Sequence, residues 1–338
     1  MGRVVLAVAV VLATGAIALT CMATGPGRAR PEATTEHGPD AASLEAELRA
    51  DVETLALAIG ERNVGRPASL AAAERYVLEE LRRAGLAPTT ETYVVEGVTC
   101  ANVIAEVAGS DPRAALVVVG AHYDSATGSP GANDNATGVA ATLALARRFA
   151  RGHASGIEHA RTIRFVAFVN EEPPWFETPL MGSRVHVARA RERGEDVHAM
   201  LSLETLGCFR DEEGSQRFPS PVMEVAYPSR GDFVAFVSDL GSRALTHAIA
   251  EDFRAVATVP SEVATFPEAL AGIGWSDHRS FWLAGWKAVM VTDTAVFRDE
   301  HYHRATDLPR NVDVARLARV VQGLEHVVTR LASAGDAR

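Results

Sequence analysis

Residues 114–150 read AALVVVGAHYDSATGSPGANDNATGVAATLALARRFA, and the order of elements within them decides the fold. Ala114 to Val119 is a short, unbroken apolar run of the kind that forms a strand buried on both faces. From Gly138 to Ala150 apolar residues return at helical spacing. Gly and Asn crowd the interval, where a tight turn joins the two. The same order recurs downstream: strand Thr162 to Val169, helix near Met181 to Arg191, strand Ala199 to Leu203, helix Ser242 to Val256, strand Ala288 to Thr292 and a last helix Asp313 to Leu331. Upstream, Ser43 to Ile59 and Ser69 to Leu86 have helical periodicity, and strands are expected over Thr89 to Val95 and Ala101 to Val107. Strands alternating with helices predict an α/β fold: a three-layer sandwich with a central, mostly parallel twisted mixed sheet flanked by helices.

The 338 residues are 47% hydrophobic and 22% charged, enough apolar surface for a sizeable core. No Pro/Gly/Ser-rich linker divides the chain after about residue 43, so 43–335 is expected to be one domain. Before it, Arg3 leads an apolar run from Val4 to Leu19, followed by small residues around Cys21-Met22-Ala23 and a polar tract. Residues 1–23 read as a signal peptide, with an N-terminal membrane anchor as the alternative, and 24–42 as a flexible linker. The expected location is therefore outside the cytoplasm: secreted, periplasmic or anchored at the membrane. The formal net charge is −10 with scattered basic residues, which argues against a nucleic-acid partner. Cys100 and Cys208 remain beyond the signal, and their spacing does not decide between a disulfide and two buried thiols.

In α/β sheets ligands sit beyond the carboxyl ends of the strands. His122 follows the buried strand there, and Asp124, two residues on, faces the same way in extended chain. Asp124 can thus hold one ring nitrogen of His122 and leave the other for a metal. Asp134 lies in the turn before the helix, where its plainer reading, shared with Asn135, is a helix cap. Glu171 and Glu172 follow the next strand and precede Pro173-Pro174. Two adjacent carboxylates in a cleft raise each other's pKa unless a cation is present. Glu204 and His303 complete a set drawn from separate strand ends. Imidazole and carboxylate ligands without thiolate suit zinc, and two ions about 3.5–4 Å apart could share one carboxylate. Asp134, Glu172 and Glu204 would balance their charge, which leaves Glu171 as a general base.

The motifs GAHYDS, GANDNATG, NEEPPWF, SLETLG, SDHRSFW and HYHRATD, in that order from Gly120 to Asp307, resemble those of bacterial zinc aminopeptidases. That family includes glutamate carboxypeptidase-like enzymes and, more distantly, glutaminyl cyclases. The resemblance implies one zinc on His122, Asp134 and Glu204, a second on Asp134, Glu172 and His303, and Glu171 as the base. It also implies a cis peptide between Asp134 and Asn135. The expected activity is removal of N-terminal residues from a peptide or protein substrate. Glutaminyl-peptide cyclisation and a catalytically inactive binding ectodomain are the alternatives. The best-known aminopeptidases carry aspartate where this chain has Glu204, a longer arm for the same ligand position. His301 rivals His303, and Asp277 and His278 are read as structural or substrate-positioning residues. Trp175, Phe176, Phe281 and Trp282 are candidates for an apolar side-chain pocket.

Overall fold

A computed structural model describes residues 39–333. The expected signal or anchor lies outside the described residues, as does most of the expected linker. Helix α1 (Pro39–Glu53) begins four residues before the expected domain start and passes into a π-helical turn over Thr54–Ile59. Helix α2 (Pro67–Arg83) has proline in its first turn, where a missing N–H costs nothing, and Arg82 and Arg83 in its last. Strands β1 (Thr89–Val95) and β2 (Val98–Val107) form a hairpin. Then come β3 (Leu116–His122), α3 (Gly138–Ala154), β4 (Ile163–Phe168), α4 (Gly182–Glu192) and β5 (Val197–Glu204). The chain closes with α5 (Pro221–Ala226), β6 (Val234–Ser238), α6 (Arg243–Val256), β7 (Ser261–Thr265), α7 (His278–Leu283), β8 (Ala288–Thr292) and α8 (Val314–Ala332).

The eight strands lie in one sheet in the order β1-β2-β4-β3-β5-β8-β6-β7. The central four, β4, β3, β5 and β8, are mutually parallel, while β2 and β6 run antiparallel to their inner neighbours. All four central carboxyl ends therefore emerge at one edge of the sheet. Alternation sorts the side chains into two cores. Val117, Val119, Leu201, Leu203, Val289 and Val291 face α1, α2, α3, α6 and α8. Val118, Met200, Ala288 and Met290 face the opposite layer, which contains α4 and α7. Burying one such Leu or Val contributes about 1.5–3 kcal/mol, so each face draws its helices in.

Two strands, β6 and β7, and two one-and-a-half-turn helices, α5 and α7, are absent from the sequence reading. Each has five or six residues, too few to display a period that separates helix from strand. Strand β3 also runs three residues past its expected end, through His122.

Candidate active site

The carboxyl edge of the sheet brings together His122, Asp124, Asp134, Glu171, Glu172, Glu204 and His303. His122 is the last residue of β3, Glu204 the last of β5, and Glu171 and Glu172 follow β4 after Asn170. His122 Nε2 lies 3.4 Å from Asp134 Oδ1, 3.4 Å from Glu204 and 3.7 Å from Glu171 Oε2. His303 Nε2 lies 3.0 Å from Asp134 Oδ2 and 3.1 Å from Glu172 Oε2. Asp134 thus offers one oxygen to each imidazole, the arrangement of a shared ligand. His303, with 34% of its side chain exposed, is the open side of the cluster, and the other members are buried. His301 turns away to Thr306 Oγ1 at 3.0 Å, and of the two histidines it is His303 whose ring lies beside Asp134 and Glu172.

Both readings of the Asp134-Asn135 turn are realised, by different neighbours. Asn135 Oδ1 accepts from Gly138 N and Thr205 N, both at 3.0 Å, and caps α3. That leaves Asp134 free to point into the cluster, across an Asp134-Asn135 peptide that is cis as the resemblance implied. Asp124 does more than sit 3.5 Å from His122 Nδ1, a distance too long for a hydrogen bond. Its oxygens accept from the backbone N–H groups of Glu171 (3.2 Å) and Glu172 (3.1 Å), so this carboxylate fixes the acidic turn beside the imidazole.

Three supporting residues have no role in the sequence reading. Asp307 accepts from Asn133 N (2.8 Å) and Asp134 N (3.1 Å) and fixes the turn from below. Ser276 Oγ donates to Glu204 Oε2 at 2.6 Å and steadies the longer arm of that residue. Arg62 is fully buried and donates to the carbonyls of Tyr123 (2.6 Å), Pro130 (2.5 Å) and Gly131 (2.8 Å), lacing together the loop that carries Asp124 and Asp134. Asp307 is the last residue of HYHRATD, and its spacing from His303 was a usable signal. Arg62 lies in an aperiodic turn and offered none.

The backbone is also unusual at this edge. Asn170, Thr205, Thr294 and His303 all have left-handed φ, between 48° and 66°, where a Cβ is disfavoured. Such positions persist only where surrounding structure holds them, and here they turn the chain sharply out of the strand ends.

Electrostatics test whether these residues fit a metal. Burial opposes charge on the imidazoles, yet the carboxylates around them win and hold His122 well above its usual range and His303 at about 10. Burial pushes the Glu171 carboxyl well up and, with Asp134 alongside, takes Glu172 to about 8. For Asp134 burial acts upward but the two imidazoles outweigh it, and its carboxyl lies well below the carboxylate norm. Without cations, then, the cluster must retain protons to balance its charge. Asp134 Oδ2, Glu172 Oε1 and His122 Nδ1 are buried without hydrogen-bond partners although other site atoms lie close by. Short contacts without hydrogen-bond angles are what groups aimed at a common third point produce. Ligand atoms of His122, Asp134 and Glu172, and of His122, Glu171 and Glu204, fall within 4.8 Å of one another. The donor set fits divalent metal, and Glu204 comes within 3.4 Å of His122 Nε2.

Asp277 is buried with neither oxygen hydrogen-bonded, and burial pushes it up to about 7. His278 donates to the Ile273 carbonyl at 2.7 Å and is pushed down to about 4 by burial, so it is a packed structural residue. Cys100 and Cys208 are free, buried thiols. Beside the metal-ligand set opens a cleft walled by Phe218, Met223, Tyr227, Phe233, Phe297 and Tyr302. The aromatic candidates Trp175, Phe176, Phe281 and Trp282 do not line it. Phe281 and Trp282 are core residues of the α7 layer, and Trp175 packs against the opposite core, because helix and turn positions there face the sheet.

Buried imidazoles and carboxylates at the carboxyl edge of an α/β sheet, opening on an apolar cleft, form the donor set of a divalent-metal site. The profile of Peptidase family M28 matches residues 102–328, and the chain belongs to that family. It is 32% identical over 297 residues to YfbL of Escherichia coli K12, an uncharacterized protein, covering 82% of this chain and 85% of that one. In fold it is similar to a zinc aminopeptidase from Bacillus subtilis, with a TM-score of 0.68 at 15% identity over 87% of this chain and 96% of the other. A glutaminyl cyclase from Fimbriiglobus ruber has the same fold, with a TM-score of 0.60 at 18% identity, covering 89% of this chain and 99% of that one.

Proposed function

We propose that the protein is an aminopeptidase that uses two zinc ions, one on His122, Asp134 and Glu204 and the other on Asp134, Glu172 and His303. The observation that carries this reading is Asp134, whose two oxygens lie 3.4 and 3.0 Å from the two imidazoles. Bound zinc would supply polarisation of the scissile carbonyl and acidification of water. The chain supplies the rest. Glu171, buried 3.7 Å from His122 Nε2, takes a proton from water and delivers it to the departing amine. Asp124 holds Glu171 in place through its backbone N–H. The apolar cleft receives the side chain of the terminal residue and keeps water from it. The apolar N-terminal run supports export, so the substrates are peptides met outside the cytoplasm.

Replacing Glu171 by Gln tests the assignment. Zinc content should persist while kcat on a leucine anilide falls by about 10²–10⁴. Retained turnover would remove Glu171 from the base role. Ammonia release from a Gln-initiated peptide, with no anilide cleavage, would overturn the peptidase reading in favour of cyclisation.

A further inference from the structure

We propose that Glu262 makes the cleft selective for substrates whose N-terminal residue is lysine or arginine. The inference rests on the aminopeptidase reading above and names its substrate class. It begins with strand register. Glu204 pairs with Thr292, Thr292 with Ala235, and Ala235 with Glu262, so the four lie in one row across β5, β8, β6 and β7. Residues in one row share a face of the sheet. Thr292, Ala235 and Glu262 all line the cleft, and Glu204 is its metal-side end. Three strand spacings, about 14 Å, separate the Cα atoms of Glu204 and Glu262. A long substrate side chain and a glutamate arm close that distance between them, and a short apolar side chain leaves it open.

The walls match such a guest. Ala235 and Ala264 keep the floor low, and Phe218, Tyr227, Phe233 and Met223 offer apolar and aromatic surface. Apart from Asp134, Glu171 and Glu204, Glu262 is the only charged side chain among the described residues lining the cleft. An apolar channel ending in one carboxylate is complementary to an aliphatic stem ending in a cation. Among the described residues Glu262 has no hydrogen-bond or ion-pair partner. Arg254, whose charge it feels, donates to Ser261 Oγ (2.9 Å) and the Ser261 carbonyl (2.8 Å). Half-buried, Glu262 is pushed up to about 7 by desolvation, against the pull of Arg254 and with Asp232 adding repulsion. A substrate cation would relieve that cost. An edge-strand charge that merely blunts sheet pairing would have no such effect.

The test compares wild type, Glu262→Gln and Glu262→Lys on arginine, lysine, leucine and glutamate anilides. It also measures calorimetric binding of argininamide and leucinamide to the zinc-loaded proteins. Wild type should favour arginine and lysine over leucine at least tenfold in kcat/KM. Glu262→Gln should lower that ratio at least tenfold, and Glu262→Lys should shift preference towards glutamate. Argininamide should bind wild type more tightly than leucinamide, and Glu262→Gln should erase the difference. A wild type indifferent to basic residues, or a Glu262→Gln protein of unchanged unfolding temperature with the wild-type ratio, would overturn the proposal. If no anilide is cleaved but argininamide binding still depends on Glu262, the aminopeptidase reading fails and the cation pocket stands.

Discussion

Asp134 and Asn135 illustrate how neighbouring residues divide two tasks that either could perform. Asn135 satisfies the α3 N-terminus and the chain after Glu204, so Asp134 is released to face His122 and His303. The residue that makes this possible from behind is Arg62. Replacing it by Met would strand the buried carbonyls of Tyr123, Pro130 and Gly131. Each buried acceptor left without a donor costs about 1–3 kcal/mol. Urea denaturation of Arg62→Met should therefore show a loss of at least about 3 kcal/mol, with weaker zinc retention as the loop slackens. An unchanged midpoint would show that water takes over all three carbonyls.

At the scale of elements, the site depends on how closely α3 approaches the end of β5. Gly138 begins α3, and a Cβ placed there would lie 2.3 Å from the Leu203 carbonyl oxygen and 2.4 Å from Asn135 Oδ1. In an open helix, Gly to Ala stabilises by about 1 kcal/mol. Here the collision decides the sign, since backbone cannot yield as a flexible side chain can. Gly138→Ala should destabilise by about 1–3 kcal/mol and reduce turnover sharply, because Asn135 and with it Asp134 must shift. Thermal unfolding and anilide kinetics on one preparation would show both effects, and a more stable, fully active variant would refute the close approach. At the far end of the chain the N-cap is conventional: Asp313 accepts from Arg316 N at 2.9 Å, and losing it should cost about 1 kcal/mol.

Across the whole molecule, the clustered charge makes metal part of stability. Glu172, raised from 4.5 to about 8, binds a proton in the metal-free folded state that the unfolded chain releases, so its contribution weakens as pH rises through that window. His303, raised from 6.5 to about 10, acts in the same direction: its contribution is complete below about 6.5 and lost by about 10. Asp134 acts oppositely, but below the usual carboxylate range. Chelated protein should therefore unfold at lower temperature at pH 8 than at pH 5.5. Zinc should raise the unfolding temperature most at the higher pH, because binding to the folded state alone adds stability by mass action. Calorimetry across pH with and without chelator would reveal it. Equal curves would mean the cluster does not carry the charge burden described. Among the described residues no helix is long and apolar enough to cross a membrane, and the apolar N-terminal run lies outside them.

Much of the site was legible in the linear chain because its residues occupy strand ends, and strand ends are announced by local patterns. A short apolar run such as Ala114 to Val119 suits a strand buried on both faces, and the polar residues just beyond it then emerge at the sheet edge. His122, Asp134, Glu171, Glu172, Glu204 and His303 were found in that way or through motif resemblance. The order β1-β2-β4-β3-β5-β8-β6-β7 was not legible, because which strands pair is decided by packing between residues far apart in the chain. The same cause hid Arg62, whose acceptors lie more than sixty positions away. It also hid Glu262, which joins the Glu204 row only when β7 is laid against β6 and β6 against β8. Local periodicity sets where side chains point along one element, and only the assembled sheet sets which of them meet.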